Sequence, residues 1–171
     1  MKPILQTDRL ILRKICKKDL PDLLRLHSDP VVQKYTGEKP VRSLLEIEEG
    51  MKENVLKDYQ KYGFGRWAVI LSSSGQFTGW AGLKYLPEFK EVDLGYRLLP
   101  EFWNKGIATE ASMAILNYGF ETLELKKIIA IAMVENIAAI RVMEKVGMTL
   151  YKKAPYEEGT PDDLWYKIEN P

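Results

Sequence analysis

Apolar positions along the chain change their period several times, and each change marks an element. Residues 9–15, RLILRKI, alternate as a strand does, and Asp19 followed by Pro21 predicts a helix start that runs to about His27. Asp29 with Pro30 starts a short helical turn. Ser43 and Glu46 make a capping-box pair, after which Leu44, Leu45, Ile47, Met51 and Val55 hold one helical face to about Tyr62. Three strands follow at 67–71, 77–86 and 92–99, separated by the turn signals SSSG and PEFKE, and strands so closely connected predict an antiparallel meander.

The second half returns to helical spacing, with Ile107, Ala111, Ala114, Ile115 and Tyr118 on one face. A nearly continuous apolar run at 126–134, KKIIAIAMV, predicts a strand covered on both faces. Asn136 caps a further helix whose inner face is Ala139, Val142, Met143 and Val146 and which ends at Gly147; strands at about 148–154 and 162–168 complete the chain. The order β-α-α-βββ-α-β-α-ββ predicts a mixed α/β sandwich.

At 171 residues the chain is expected to form a single domain, residues 1–171, and it carries no repeat, low-complexity tract or linker. Its 25 Lys and Arg against 24 Asp and Glu leave a net charge of +1, which gives no electrostatic reason to expect nucleic acid or a membrane surface as partner. Any anion it binds is met locally. One cysteine, Cys16, allows no intrachain disulfide, and with neither a signal-peptide core nor an apolar span a cytoplasmic location is expected. No Cys, His and acid cluster has metal-ligand spacing, so no metal is predicted. His27, the only histidine, is assigned a surface or capping role.

The stretch 100–111, PEFWNKGIATEA, carries the candidate chemistry. Pro100 ends a strand, and Asn104, Lys105, Gly106, Ile107, Ala108 and Thr109 bring backbone N–H groups to a helix start, where the first four have no intrahelical acceptor. Gly106 lets a ligand approach the main chain, the helix dipole favours an anion, and Lys105 adds a positive charge, a combination suited to phosphate. A tight turn into a helix is the alternative reading. Neither G-x-x-x-x-G-K-[ST] nor G-x-G-x-x-G is present, and Gly79 and Gly82 lie within a strand pattern that points to close packing.

Together with TDRLILR at 7–13 and NIAAIRVMEKVGM at 136–148, the segment GYRLLPEFWNKGIATEA closely resembles the GCN5-related N-acetyltransferases (GNAT), in particular the branch of ribosomal-protein N-terminal acetyltransferases. The likeness spans essentially the whole chain. It implies a mostly antiparallel sheet of about seven strands with helices on both faces, splayed between its central strands. It also implies acetyl-CoA as acetyl donor, its pyrophosphate wrapped by amides of the Q/R-x-x-G-x-G/A turn. Gly106 and Ala108 fill the last two positions of that turn; Trp103 stands at the first, a departure usual in the branch.

The same resemblance places Arg97, Leu98 and Leu99 on the splayed strand, with main-chain groups for the pantetheine arm, and Asn136 beside the arm or the thioester sulfur. Relatives often carry Ser three residues after that Asn; here it is Ala139. Asp93 is the candidate base for the amine, acting through a water, with a solvated strand acid or a partner of Arg97 as the alternative. Tyr35, Phe64, Trp67 and Trp80 are either core or the lining of an acceptor pocket.

The expected reaction is direct attack of a primary amine on the thioester in a ternary complex. The acceptor is a peptide or protein α-amine or a small-molecule amine, and the protein a monomer or homodimer. A non-catalytic acyl-CoA-binding or regulatory module on the same fold is the alternative.

Overall fold

The computed structural model describes residues 2–170, so Met1 and Pro171, the ends of the expected domain, lie outside the described residues. Its eight strands are β1 (Leu5–Gln6), β2 (Leu10–Lys14), β3 (Arg66–Leu71), β4 (Phe77–Leu86), β5 (Glu91–Leu98), β6 (Lys127–Met133), β7 (Thr149–Pro155) and β8 (Asp162–Glu169). They form one sheet in the order β1-β2-β3-β4-β5-β6-β8-β7. Every neighbouring pair is antiparallel except β5 with β6. The meander of the three central strands and the closing hairpin follow the sequence pattern. The additional strand, β1, is only two residues long, too short to show a period of its own.

Helices α1 (Leu20–Ser28), α2 (Pro30–Gln33), α3 (Leu44–Gly50) and α4 (Lys57–Tyr62) come from the first third, and α5 (Ile107–Glu121) and α6 (Ile137–Lys145) from the second half. A π-helical stretch, Met51–Leu56, links α3 to α4 where the sequence predicts unbroken α-helix. Side chains on a strand alternate between faces, so β4 shows how the layers lie. Leu83 lies under Gly119 of α5, whereas Trp80, of opposite parity, stacks on His27 of α1. The two helix groups therefore cover opposite faces. The inner layer is closely packed: a Cβ at Gly82 would stand 2.2 Å from the Gly65 carbonyl oxygen, which is why glycine occupies this strand position.

Local caps behave as their spacing predicts at Ser43, Asp29 and Asn136, whose side chains accept from the amides of Glu46, Val31 and Ala139. Asp19 does not. Its carboxylate takes a bidentate bond from Arg13, at 2.7 and 2.8 Å, and accepts from the Cys16 amide, leaving the α1 start without a side-chain cap. A buried ion pair with good geometry outcompetes a single capping bond.

Burial alone raises the Asp19 pKa, but the bonds from Arg13 and Cys16 outweigh it and hold the carboxyl below its ordinary 3.8. A depressed folded-state value contributes stability that is complete above the unfolded value and is lost as pH falls through the folded one. Removing one partner of a buried pair costs about 3–5 kcal/mol. Asp19→Asn is therefore expected to unfold at clearly lower urea at pH 7, and the gap to wild type should narrow below about pH 3.8. Urea titrations at the two pH values check this.

Candidate active site

Strand β5 pairs with β4 along its whole length and β6 pairs with β8 along its whole length, but β5 and β6 share only the register pair Asp93 with Ile129. Beyond that point they diverge. A gap inside a sheet leaves main-chain groups to be satisfied, and the register says which. The Leu99 amide donates to the Thr78 carbonyl at 2.9 Å, so the alternate residue Arg97 also turns its main chain toward β4, while Tyr96 and Leu98 face the gap.

Of Arg97, Leu98 and Leu99, only Leu98 turns its main chain toward the gap. Leu98 presents its amide to the gap, its carbonyl already accepting from the Trp103 indole at 2.8 Å, and Tyr96 joins it. Leu99, 1% exposed, has its amide committed to β4.

Above the gap stands the start of α5. Pro100–Phe102 form a 3-10 turn, Asn104 and Gly106 both take positive φ, 58° and 76°, and the turn delivers the chain into the helix. The first main-chain bond of that turn runs from the Glu110 amide to the Gly106 carbonyl, and no side chain caps the start. The amides of Ile107, Ala108 and Thr109 precede any intrahelical partner. A Cβ built at Gly106 would meet only the Arg9 guanidinium, at 3.4 Å.

The resulting cleft, of about 760 Å³, is walled by β5, β6, α5 and α6. Arg97, Leu98, Asn104, Gly106, Ile107, Ala108, Thr109 and Asn136 line it. Lys105 does not; its ammonium sits over the ring of Phe102, at the cleft's border. Three cations border the cleft, Lys34, Arg141 and Lys145, and among the described residues no carboxylate does; Arg97 lines it too, but its guanidinium is paired with Glu38 over the Trp80 ring. Arg141 and Lys145 are one turn apart on α6, a signal visible as an i, i+4 pair but not tied to a ligand by sequence alone.

Ser112, fully buried on α5 and bordering the same cleft, has a hydroxyl without any partner. An uncapped helix start, an open sheet edge, three cations and an orphan hydroxyl fit an extended phosphorylated ligand such as acetyl-CoA.

The opposite face of β3–β5 carries a second network. Arg66 and Arg97 lie over the Trp80 ring, 5.3 and 5.2 Å from its centroid. Arg66 pairs with Asp93 and also bonds the Gly82 carbonyl, while Arg97 pairs with Glu38 at 2.9 Å. Asp93 is therefore neither solvated nor a partner of Arg97. It sits at the last point where β5 and β6 pair, outside the residues that line the cleft.

His27 is half-buried, with partners at both ring nitrogens. Trp80 Nε1 donates to its Nε2 at 3.2 Å, and Arg97 Nη1 lies 3.0 Å from its Nδ1. Burial first, then the Arg97 charge, push its pKa down to about 4, with Glu38 opposing, so the ring is neutral near pH 7. These partners come from elements far apart in the chain, which the lone histidine in the sequence could not reveal. Of the aromatic set, Phe64 and Trp67 are core, Trp80 stacks against α1, and Tyr35 lines the cleft.

Residues 9–149 match the model of the acetyltransferase (GNAT) domain. The chain belongs to that family, the acyltransferases that move an acetyl group from acetyl-CoA to nitrogen. It is 31% identical over 176 residues to the uncharacterized N-acetyltransferase YoaA of Bacillus subtilis (strain 168), covering 100% of this chain and 99% of that one. Spermidine N(1)-acetyltransferase of Escherichia coli (strain K12) is 27% identical over 150 residues, 85% of this chain and 76% of that one. An acetyltransferase from Agrobacterium tumefaciens str. C58 superposes with a TM-score of 0.85 at 28% identity, over 99% of this chain and 96% of that one.

Proposed function

We propose that residues 1–171 form one N-acetyltransferase domain that acts in the cytoplasm, as monomer or homodimer, on the α-amine of a peptide or protein. The observation that carries the cofactor side is the cleft itself: a chain of net charge +1 gathers Lys34, Arg141 and Lys145, and among the described residues no carboxylate, along a cleft that ends at an uncapped helix start. In this reading the amides of Gly106 to Thr109 hold the pyrophosphate, Tyr96 and Leu98 hold the pantetheine amides as a missing strand would, and Asn136 closes the far side. Bound there, acetyl-CoA supplies an activated acyl carbon. The amine forms a C–N bond as the C–S bond breaks, and its proton leaves to water. Holding amine and carbonyl in attack geometry is worth up to about 7–11 kcal/mol.

The acceptor follows from the proton. Asp93 is engaged by Arg66, and both ring nitrogens of His27 face donors, so neither stands free to take a proton from an incoming ammonium. With water as proton acceptor, the enzyme depends on amine that is already neutral. At pH 7.5 that is roughly a third of an α-amine but about a thousandth of a lysine-type amine. Release of free CoA is to be compared, at pH 7.5 and 9.5, for peptides with a free α-amine, Nα-blocked lysine peptides, spermidine and aminoglycosides. The α-amine should lead by about 300-fold at the lower pH, and the lead should shrink at the higher. Equal rates for spermidine at pH 7.5 would contradict the acceptor assignment, and saturable CoA binding without turnover of any amine would favour the non-catalytic module.

A further inference from the structure

We propose that Arg9 is a positioning residue of the phosphate-binding turn, which neutralises the Glu110 carboxylate beside the α5 start and ties down the Lys105 carbonyl. The inference rests on the reading that this turn holds the pyrophosphate. Glu110 lies in the first turn of α5, where a carboxylate competes with any anion for the same dipole. Left bare, its charge would oppose the phosphates.

The structure surrounds that carboxylate with donors. The Arg9 Nε donates to Oε2 at 2.6 Å, its Nη2 lies at the same distance, the Arg9 amide donates to Oε1 at 3.1 Å, and the Thr7 hydroxyl donates to Oε1 at 2.5 Å. Burial raises the Glu110 pKa, but the bonds from Thr7 and Arg9 outweigh it and lower the value, so the group is ionised near neutrality. The remaining arm of the guanidinium, Nη1, donates to the Lys105 carbonyl at 3.0 Å, one residue before the glycine whose open side faces Arg9. One side chain from the segment ahead of β2 thus cancels a charge and fixes a loop about a hundred residues away. The motif TDRLILR gains a use through Thr7 and Arg9 that core packing of its leucines does not explain.

The test is a double-mutant cycle read as CoA affinity by calorimetry at low and high salt, with the ligand-free melting temperature of every variant. At a separation of about 8 Å and an effective dielectric between those of protein surface and water, one uncompensated charge changes anion affinity about two- to thirtyfold. Arg9→Ala should therefore weaken CoA binding by about tenfold at low salt, and less at high salt. Adding Glu110→Gln to Arg9→Ala should restore affinity to within about threefold of wild type, although it removes further hydrogen bonds. A purely structural role predicts additive loss.

Arg9→Lys, which keeps the charge, should retain most of the affinity. An Arg9→Ala, Glu110→Gln protein binding no more tightly than Arg9→Ala would overturn the inference alone. A wild type that fails to bind CoA would overturn the cofactor placement and this inference with it.

Discussion

A Gly106→Asp protein is expected to fold and to lose the stabilisation that CoA gives the wild type. Ligand at about 100 times its dissociation constant stabilises a folded protein by about 2.7 kcal/mol, which for a domain of this size is a melting shift of roughly 5–11 °C. Desulfo-CoA should do nearly as well, because the phosphates meet the helix start. Gly106 adopts φ 76°, a left-handed conformation, and its Cβ position opens toward the Arg9 side chain rather than toward backbone. An aspartate there costs about 1–2 kcal/mol of strain, lowering the ligand-free melting point by a few degrees, without a clash that prevents folding. Its carboxylate would add a negative charge at the helix start, beside the amides assigned to the pyrophosphate and against the Arg9 guanidinium. Scanning calorimetry with and without ligand should show a shift near zero; a shift equal to that of wild type would mean the turn does not bind phosphate.

Asp93→Asn should act mainly on stability. Arg66 and Asp93 are 14% and 13% exposed, so the substitution leaves a largely buried guanidinium without its counter-charge, at a cost near 3 kcal/mol. Arg66 keeps its bonds to the carbonyls of Gly82 and Asp93, which holds the cost to the low end. The melting point should fall by roughly 6–12 °C. Where the variant is folded, its turnover should stay within about tenfold of wild type, with the same pH profile. A loss of about 10²–10⁴-fold that shrinks at high pH would instead make Asp93 the base that takes the amine proton.

What the sequence made legible was whatever neighbouring residues decide. Strand alternation gave the meander, and the caps at Asp29, Ser43 and Asn136 are local bonds between residues two or three apart. The turn from Asn104 to Thr109 was readable because a glycine before an apolar-periodic helix is itself a local signal.

What escaped depends on pairing between distant segments. Asp19 looks like a cap until Arg13 comes within reach. Which β5 amides face the gap is decided by the register of β5 on β4, which no local pattern in the sequence carries. Asp93, paired with Arg66 from β3, and His27, held between Trp80 and Arg97, have partners that only the assembled sheet supplies.

In the proposed reading the start of α5 and the gap between β5 and β6 together hold acetyl-CoA. A crystal structure of the CoA complex tests it most directly. Pyrophosphate oxygens are expected within about 2.7–3.2 Å of amides between Gly106 and Thr109, and the pantetheine arm bonded to the main chain of Tyr96 and Leu98. CoA bound elsewhere, or with its phosphates away from that helix start, would contradict it.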